Sequence, residues 1–253
     1  MRNEEKLNEL YHETSKHSNY QIVASVLEKY LDNADINVNS RYEKERLHYF
    51  LDNVDVKNKK ILDIGGNTGY FTFELLENGA SKASYYEGNT AHAQFVTEAS
   101  KFLGIEDEIT IHNEYFLFDD KGNETFDVIF LLNVLHHVGD DYGDTDISKQ
   151  KALEQIAKSL QSMATQTDIL VFQLGFNWMG DCKLPLFEHG TKREMIDFVQ
   201  DAVKEHYTMT TIGIAEKEGN NIVYNSINDT NIERFDALGE FLNRPIFIMK
   251  SKC

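Results

Sequence analysis

Residues 60–80, KILDIGGNTGYFTFELLENGA, constrain the fold of this chain more than any other stretch. Lys60-Ile61-Leu62-Asp63-Ile64 reads as a short buried strand, an apolar run with one acid that ends in two glycines. From Tyr70 the apolar spacing turns helical, with Phe71, Leu75 and Leu76 on one face and Asn78-Gly79 as a C-cap. Between them lies Gly65-Gly66-Asn67-Thr68-Gly69, a turn whose glycines let backbone approach a ligand closely. A strand, a glycine-rich turn and a helix N-terminus together make a nucleotide pocket. Two phosphate-binding versions of it fit poorly. The dinucleotide pattern G-x-G-x-x-G needs a glycine where Ile64 stands, and a P-loop needs Gly-Lys-Ser/Thr where the chain has Gly69-Tyr70-Phe71.

The stretch resembles motif I of the class I S-adenosylmethionine-dependent methyltransferases, Asp/Glu-x-Gly-x-Gly-x-Gly. Asp63, Gly65 and Gly69 match, and the middle glycine is replaced by Asn67, a residue type at ease at positive φ. No lysine or arginine lies in or just after the turn, which suits a ligand without phosphates. The resemblance implies a three-layer Rossmann-like α/β fold with N-terminal helices. It also implies a mostly parallel seven-stranded sheet with an antiparallel last strand. The cofactor would be S-adenosylmethionine and the product S-adenosylhomocysteine, with Asp63, Gly65, Gly66, Asn67, Gly69 and Phe71 at the cofactor. Alternating strand and helix patterns point to an α/β fold independently of the family.

Lys82 to Glu87 reads as a second strand ending in an acid. Glu87 follows Asp63 by 24 positions (87 − 63), near the roughly 20-residue spacing at which a carboxylate meets ribose hydroxyls. Two vicinal hydroxyls offer two donors to its two oxygens. The resemblance gives Glu87 this role, with Gly88 beside it, and Asn89 or Thr90 then caps a helix to Leu103. A third strand covers Ile109 to Asn113. By position, Asn113, Glu114 and Tyr115 match the family segment beside the adenine, where Tyr115 would stack on the ring.

Phe126 to Leu132 is a strongly apolar fourth strand, followed by Asn133-Val134-Leu135-His136-His137-Val138-Gly139-Asp140-Asp141. Sites in open α/β sheets lie beyond the carboxyl ends of the strands, so this loop should face the reactive end of the cofactor. The segment is similar to the family motif after strand four, which places Asn133 near the methionine portion. His136 or His137 would be a general base, because imidazole titrates near operating pH. His136, His137, Asp140, Asp141, Asp144 and Asp146 crowd together but lack a calcium-loop or zinc-ligand pattern, so no metal is expected.

Residues 1–56 are expected to form a helical cap or lid. Gln21 to Leu31 would be one helix, and Ser40 with Glu43 a capping box for another; Tyr11, His17 and Tyr20 are possible substrate contacts. Residues 57–253 would be the methyltransferase domain, with 216–244, including Tyr224 and Arg234, inserted between the last two strands, 208–215 and 246–251. A helix is expected from Lys149 to Ala164, a fifth strand from Asp168 to Leu174 and a helix capped by Thr191 and Glu194. The aromatic, glycine-punctuated loop after the fifth strand offers Phe176, Trp178, Phe187 and His189 to an acceptor. Lys183, Lys192 and Arg193 could meet an anionic one. The substrate-binding set is thus Tyr20, Trp178, His189 and Arg193.

Forty-two acids against 25 bases give a net charge of −17, which argues against a nucleic-acid partner. No apolar run approaches the roughly 18–20 residues of a membrane span. The charged start MRNEEKLNEL does not read as a signal peptide, and Cys182 and Cys253 make no disulfide framework. A cytoplasmic enzyme methylating an O or N of a small molecule is expected, such as a sugar or surface-polysaccharide precursor. The alternatives are an RNA or protein methyltransferase and a non-catalytic S-adenosylmethionine-binding regulator.

Overall fold

The computed structural model describes residues 2–13, 20–31, 38–118 and 124–253; His17 lies outside them. The chain divides into two compact units, residues 1–116 and 117–253.

In the first unit, β1 (Lys60–Ile64), β2 (Lys82–Tyr86) and β3 (Ile109–His112) pair in parallel in the order β3-β2-β1. Four helices accompany them: α1 (Arg2–His12), α2 (Glu43–Asn53), α3 (Tyr70–Glu77) and α4 (Thr90–Leu103). α1 packs on α4 and α2 on α3. α3 ends as expected at Asn78-Gly79. Gly79, at φ 96°, donates to the Leu76 carbonyl and Ala80 to that of Leu75, the paired bonds of a Schellman cap. Asn89 caps α4, accepting the N–H groups of Ala91 and His92.

The expected helix over Gln21–Leu31 is instead a run of turns. Leu27, Glu28 and Tyr30 donate to carbonyls three residues earlier, those of Ala24, Ser25 and Leu27. Tertiary bonds win here: Gln21 is tied to the glycine turn, and the Ser25 N–H to the Glu74 carboxylate at 2.5 Å. The capping box at Ser40 and Glu43 is also modified. Ser40 Oγ donates to the Glu43 carboxylate rather than accepting a backbone N–H of the helix, and Tyr42 precedes α2 at φ 56°.

In the second unit, β4 (Phe126–Leu132) and β5 (Thr167–Gln173) are parallel. β8 (Ile246–Ser251) lies antiparallel between β5 and β6 (Tyr207–Glu218), as expected of the last strand. One strand more than expected, β7 (Asn221–Ser226), pairs with β6 across the two-residue turn Gly219-Asn220, which brings the described strands to eight. This hairpin takes up the first part of the 216–244 insertion. α5 (Lys149–Ser162) and α6 (Lys192–Val203) pack together, and a short α7 (Gly239–Leu242) precedes β8. Thr191 and Glu194 form the complete capping box expected at α6.

Candidate active site

The first unit carries the glycine turn. Gly65 (φ 70°), Asn67 (φ 53°) and Gly69 (φ 79°) all lie in the left-handed region, so Asn67 has the conformation its replacement of glycine requires. Gly66 is needed for a different reason. A Cβ there would lie 2.5 Å from the ring of Tyr85, which is fully buried. The Tyr85 hydroxyl donates to the Asn67 carbonyl, and burial pushes its pKa well up, so it stays a donor.

Every backbone N–H from 65 to 70 has a partner inside the protein. Gly65 and Gly66 donate to the Tyr86 carbonyl and Gly69 to that of Gly66. Asn67 donates to Glu87 at 2.8 Å, Thr68 to the Asn67 side chain and Tyr70 to Gln21. A phosphate cradle works by pointing free N–H groups at the anion. This turn offers none.

Glu87 stands just past β2. One oxygen accepts the Asn67 N–H and the other the Asn89 N–H, both at 2.8 Å. Both carboxylate oxygens are thus directed at the turn and the start of α4. Asn113 donates to the Glu87 carbonyl at 3.1 Å. Tyr115 is 47% exposed and its ring lies against Gly88, where a Cβ would meet it at 2.5 Å. The ring is thus packed on Gly88 and about half exposed. Glu114 is exposed, 3.9 Å from His112. His112 itself stacks on Tyr86, with centroids 4.1 Å apart and planes 8° apart.

Two residues expected at the cofactor belong to the packing beneath the turn. Asp63 is 3% exposed and accepts the Thr72 hydroxyl at 2.7 Å. Burial pushes its pKa up to about 6, with Glu87 adding to the rise and Thr72 and Arg46 opposing it. Phe71 is enclosed by Phe50, Tyr70 and the Arg46 guanidinium, which sits 4.8 Å from its ring. Tyr20 is exposed, with Arg41 stacked 4.9 Å away.

In the second unit, Asn133 follows β4 at φ 60°. Its Nδ2 donates to Gln173 Oε1 at 3.0 Å, and its Oδ1 accepts from Arg244 at 2.8 Å. Arg244 also grips Glu240 through two bonds, at 2.9 and 2.6 Å. Sequence reasoning missed Gln173, Glu240 and Arg244. The link from Asn133 to Arg244 spans 111 positions and has no local signature.

His136 is 3% exposed. Gly175 donates its N–H to His136 Nδ1 at 3.4 Å and packs so close that a Cβ would meet the ring at 2.7 Å. His137 is more open, its side chain 18% exposed, with Nδ1 at 3.4 Å from Asp141 and 3.7 Å from Asp140. One ligand atom from each of these three residues lies within 4.8 Å of the others. Such a set can orient a ring nitrogen or contribute three donors to a divalent cation. A closed structural site needs a fourth.

The remaining expected contacts are mostly structural. Trp178 is 8% exposed and donates to the Val138 carbonyl at 2.7 Å; Phe176 and Phe187 are buried. His189 is exposed, its N–H bonded to Glu194, and Arg193 makes a surface pair with Glu233 at 3.6 Å. Lys192 is not offered to an anionic acceptor. It is 2% exposed, with its ammonium bound to the carbonyls of Asn231 and Glu233 at 2.9 Å, and burial lowers its pKa. Arg234 is held by the Gly190 carbonyl and Asp236.

A family described as "Methyltransferase domain" matches residues 62–164. Curated relatives include tRNA U34 carboxymethyltransferases. That of Helicobacter pylori strain G27 is 34% identical over 93 residues, covering 32% of this chain and 32% of its own length. That of Aliarcobacter butzleri is 31% identical over 117 residues, covering 43% and 32%. The chain thus spans about a third of the length of the curated relatives it matches.

Solved structures show the fold. The N-methyltransferase NodS of Bradyrhizobium japonicum, in complex with S-adenosylhomocysteine, aligns over 100% of both chains at TM-score 0.52 and 14% identity. The magnesium protoporphyrin IX methyltransferase of Synechocystis, with S-adenosylmethionine bound, aligns over 99% and 97% at TM-score 0.55 and 11% identity. The bifunctional kinase-methyltransferase WbdD covers 96% of this chain and 46% of its own at TM-score 0.58 and 14% identity. No helix among the described residues is long and apolar enough to cross a membrane. The chain has the Rossmann-like α/β fold of these structures, and its residues 62–164 match a methyltransferase domain.

Proposed function

We propose that the chain binds S-adenosylmethionine at the glycine turn of its first unit and transfers the methyl group to an oxygen or nitrogen of a small molecule. The observation that carries the cofactor assignment is the turn's complete set of internal N–H partners beside the Glu87 carboxylate. Together they suit a nucleoside with ribose hydroxyls and disfavour a dinucleotide phosphate. The bound cofactor supplies a methyl group made electrophilic by the sulfonium. The protein must hold an acceptor about 3–3.5 Å from it and in line.

Of the two histidines, we assign the proton-accepting role to His137, which is the more open and faces two carboxylates, whereas His136 is enclosed by Gly175. Asn133 is oriented by Gln173 and Arg244, as suits a positioning residue. The net charge of −17 favours a small acceptor over a polyanion. A tRNA acceptor is the second reading, favoured by the names of the curated relatives.

Incubation with methyl-labelled S-adenosylmethionine and a fractionated cell extract separates the two. Label entering the low-molecular-weight fraction supports the first reading. Label confined to RNA supports the second, and none in any fraction contradicts both.

A further inference from the structure

Gln21 is 8% exposed, and its carboxamide oxygen accepts the Tyr70 N–H at 2.9 Å and the Thr68 hydroxyl at 3.0 Å. A backbone N–H can only donate, so the oxygen is the atom that faces these groups. The amide –NH2 shares its carbon with that oxygen and therefore lies at the same turn. It has no hydrogen-bond partner among the described residues. Two bonds hold the oxygen in place while the –NH2 itself stays accessible, so it can donate to a molecule that enters the turn.

We propose that Gln21 is a further cofactor-binding residue whose –NH2 donates to the carboxylate of the methionine portion of S-adenosylmethionine. The inference rests on the assignment of that cofactor to the turn. Three considerations select the carboxylate. It is the anionic group of the ligand, and the N-terminus of α3 at Tyr70 favours negative charge. The N–H groups of residues 65–70 are engaged, so a donor has to come from a side chain. The ribose hydroxyls, which need an acceptor, are served by Glu87 instead. Gln21 would thereby make the segment around residues 20–31 part of the cofactor site, whereas a residue that only shaped the turn would leave ligand choice alone.

The test is calorimetric titration of the full chain and of Gln21→Glu with two ligands. S-adenosylhomocysteine has the carboxylate; 5′-methylthioadenosine keeps the adenosine and sulfur and lacks the amino-acid portion. Glutamate retains an oxygen for Tyr70 and Thr68 and replaces the donor with an acceptor. Affinity for S-adenosylhomocysteine is expected to fall roughly tenfold or more while that for methylthioadenosine stays within about twofold. Gln21→Met, which removes both functions, should shift the ratio of the two affinities in the same direction, a readout insensitive to overall stability. Equal weakening of both ligands, or unchanged S-adenosylhomocysteine binding, overturns the proposal. If the unaltered protein binds neither ligand, the cofactor assignment itself fails.

Discussion

Glu87, immediately after β2, accepts the backbone N–H of Asn67 at 2.8 Å, joining the strand-end acid to the residue that replaces the middle glycine of the turn. One carboxylate therefore shapes the turn and, in the proposed function, also accepts the ribose hydroxyls. Glu87→Ala should weaken S-adenosylhomocysteine binding by roughly a hundredfold, since hydrogen bonds to charged groups are each worth about 1.5–3 kcal/mol. Glu87→Gln should retain part of the affinity. Calorimetry on both variants checks the order.

The close approach at Gly66 predicts a stability effect. In Gly66→Ala the new Cβ would press on the buried Tyr85 ring and lie 2.9 Å from Asp63. Overpacking of this kind costs about 1–3 kcal/mol. For a chain of this size the melting temperature should fall by roughly 2–4 °C per kcal/mol. Gly88→Ala should cost less, because the exposed Tyr115 ring can move aside. Thermal unfolding of the two variants compares them directly.

Asp63 sets a pH dependence. Its folded pKa of about 6 lies above that of a free aspartate, so between about pH 4 and pH 6 the folded state binds more protons than the unfolded state. Stability from this group is therefore greatest below pH 4 and declines as pH rises towards 6, by at most roughly 3 kcal/mol. Asp63→Asn can still accept the Thr72 hydroxyl and cannot ionise. The stability difference between variant and parent should grow in the variant's favour from pH 4 to pH 7, as measured by urea unfolding. A constant difference would contradict the assignment.

Much of the fold was legible because its signals are local. Positive φ at Asn67, the cap at Asn78-Gly79, the Asn89 cap and the Thr191–Glu194 box all depend on residues within a few positions of one another. The parallel strands β1, β2 and β4 were equally plain as apolar runs. Gln21–Leu31 was misread because bonds to Thr68, Tyr70 and Glu74, which lie 47 to 49 positions away, replaced helical ones. The β6–β7 hairpin had a readable signal in Gly219-Asn220. The Asn133–Gln173–Arg244 network had none, because it is made by side chains distant in sequence.

Arg244 gives a further prediction. It satisfies Asn133 Oδ1 and both oxygens of Glu240 with a planar fork that a lysine does not reproduce. Arg244→Ala should cost about 2–4 kcal/mol in urea unfolding, because partly buried partners lose their donor. Arg244→Lys should recover less than half of that loss. Full recovery would mean that charge alone, and not the fork, holds Asn133.

The central claim is that the glycine turn holds a nucleoside without phosphates. Isothermal titration of the unaltered protein with S-adenosylhomocysteine, and with NAD as a control, tests it most directly. Saturable binding of S-adenosylhomocysteine at a micromolar dissociation constant, with none for NAD, is the predicted result. Binding of NAD alone, or of neither ligand, would contradict the account.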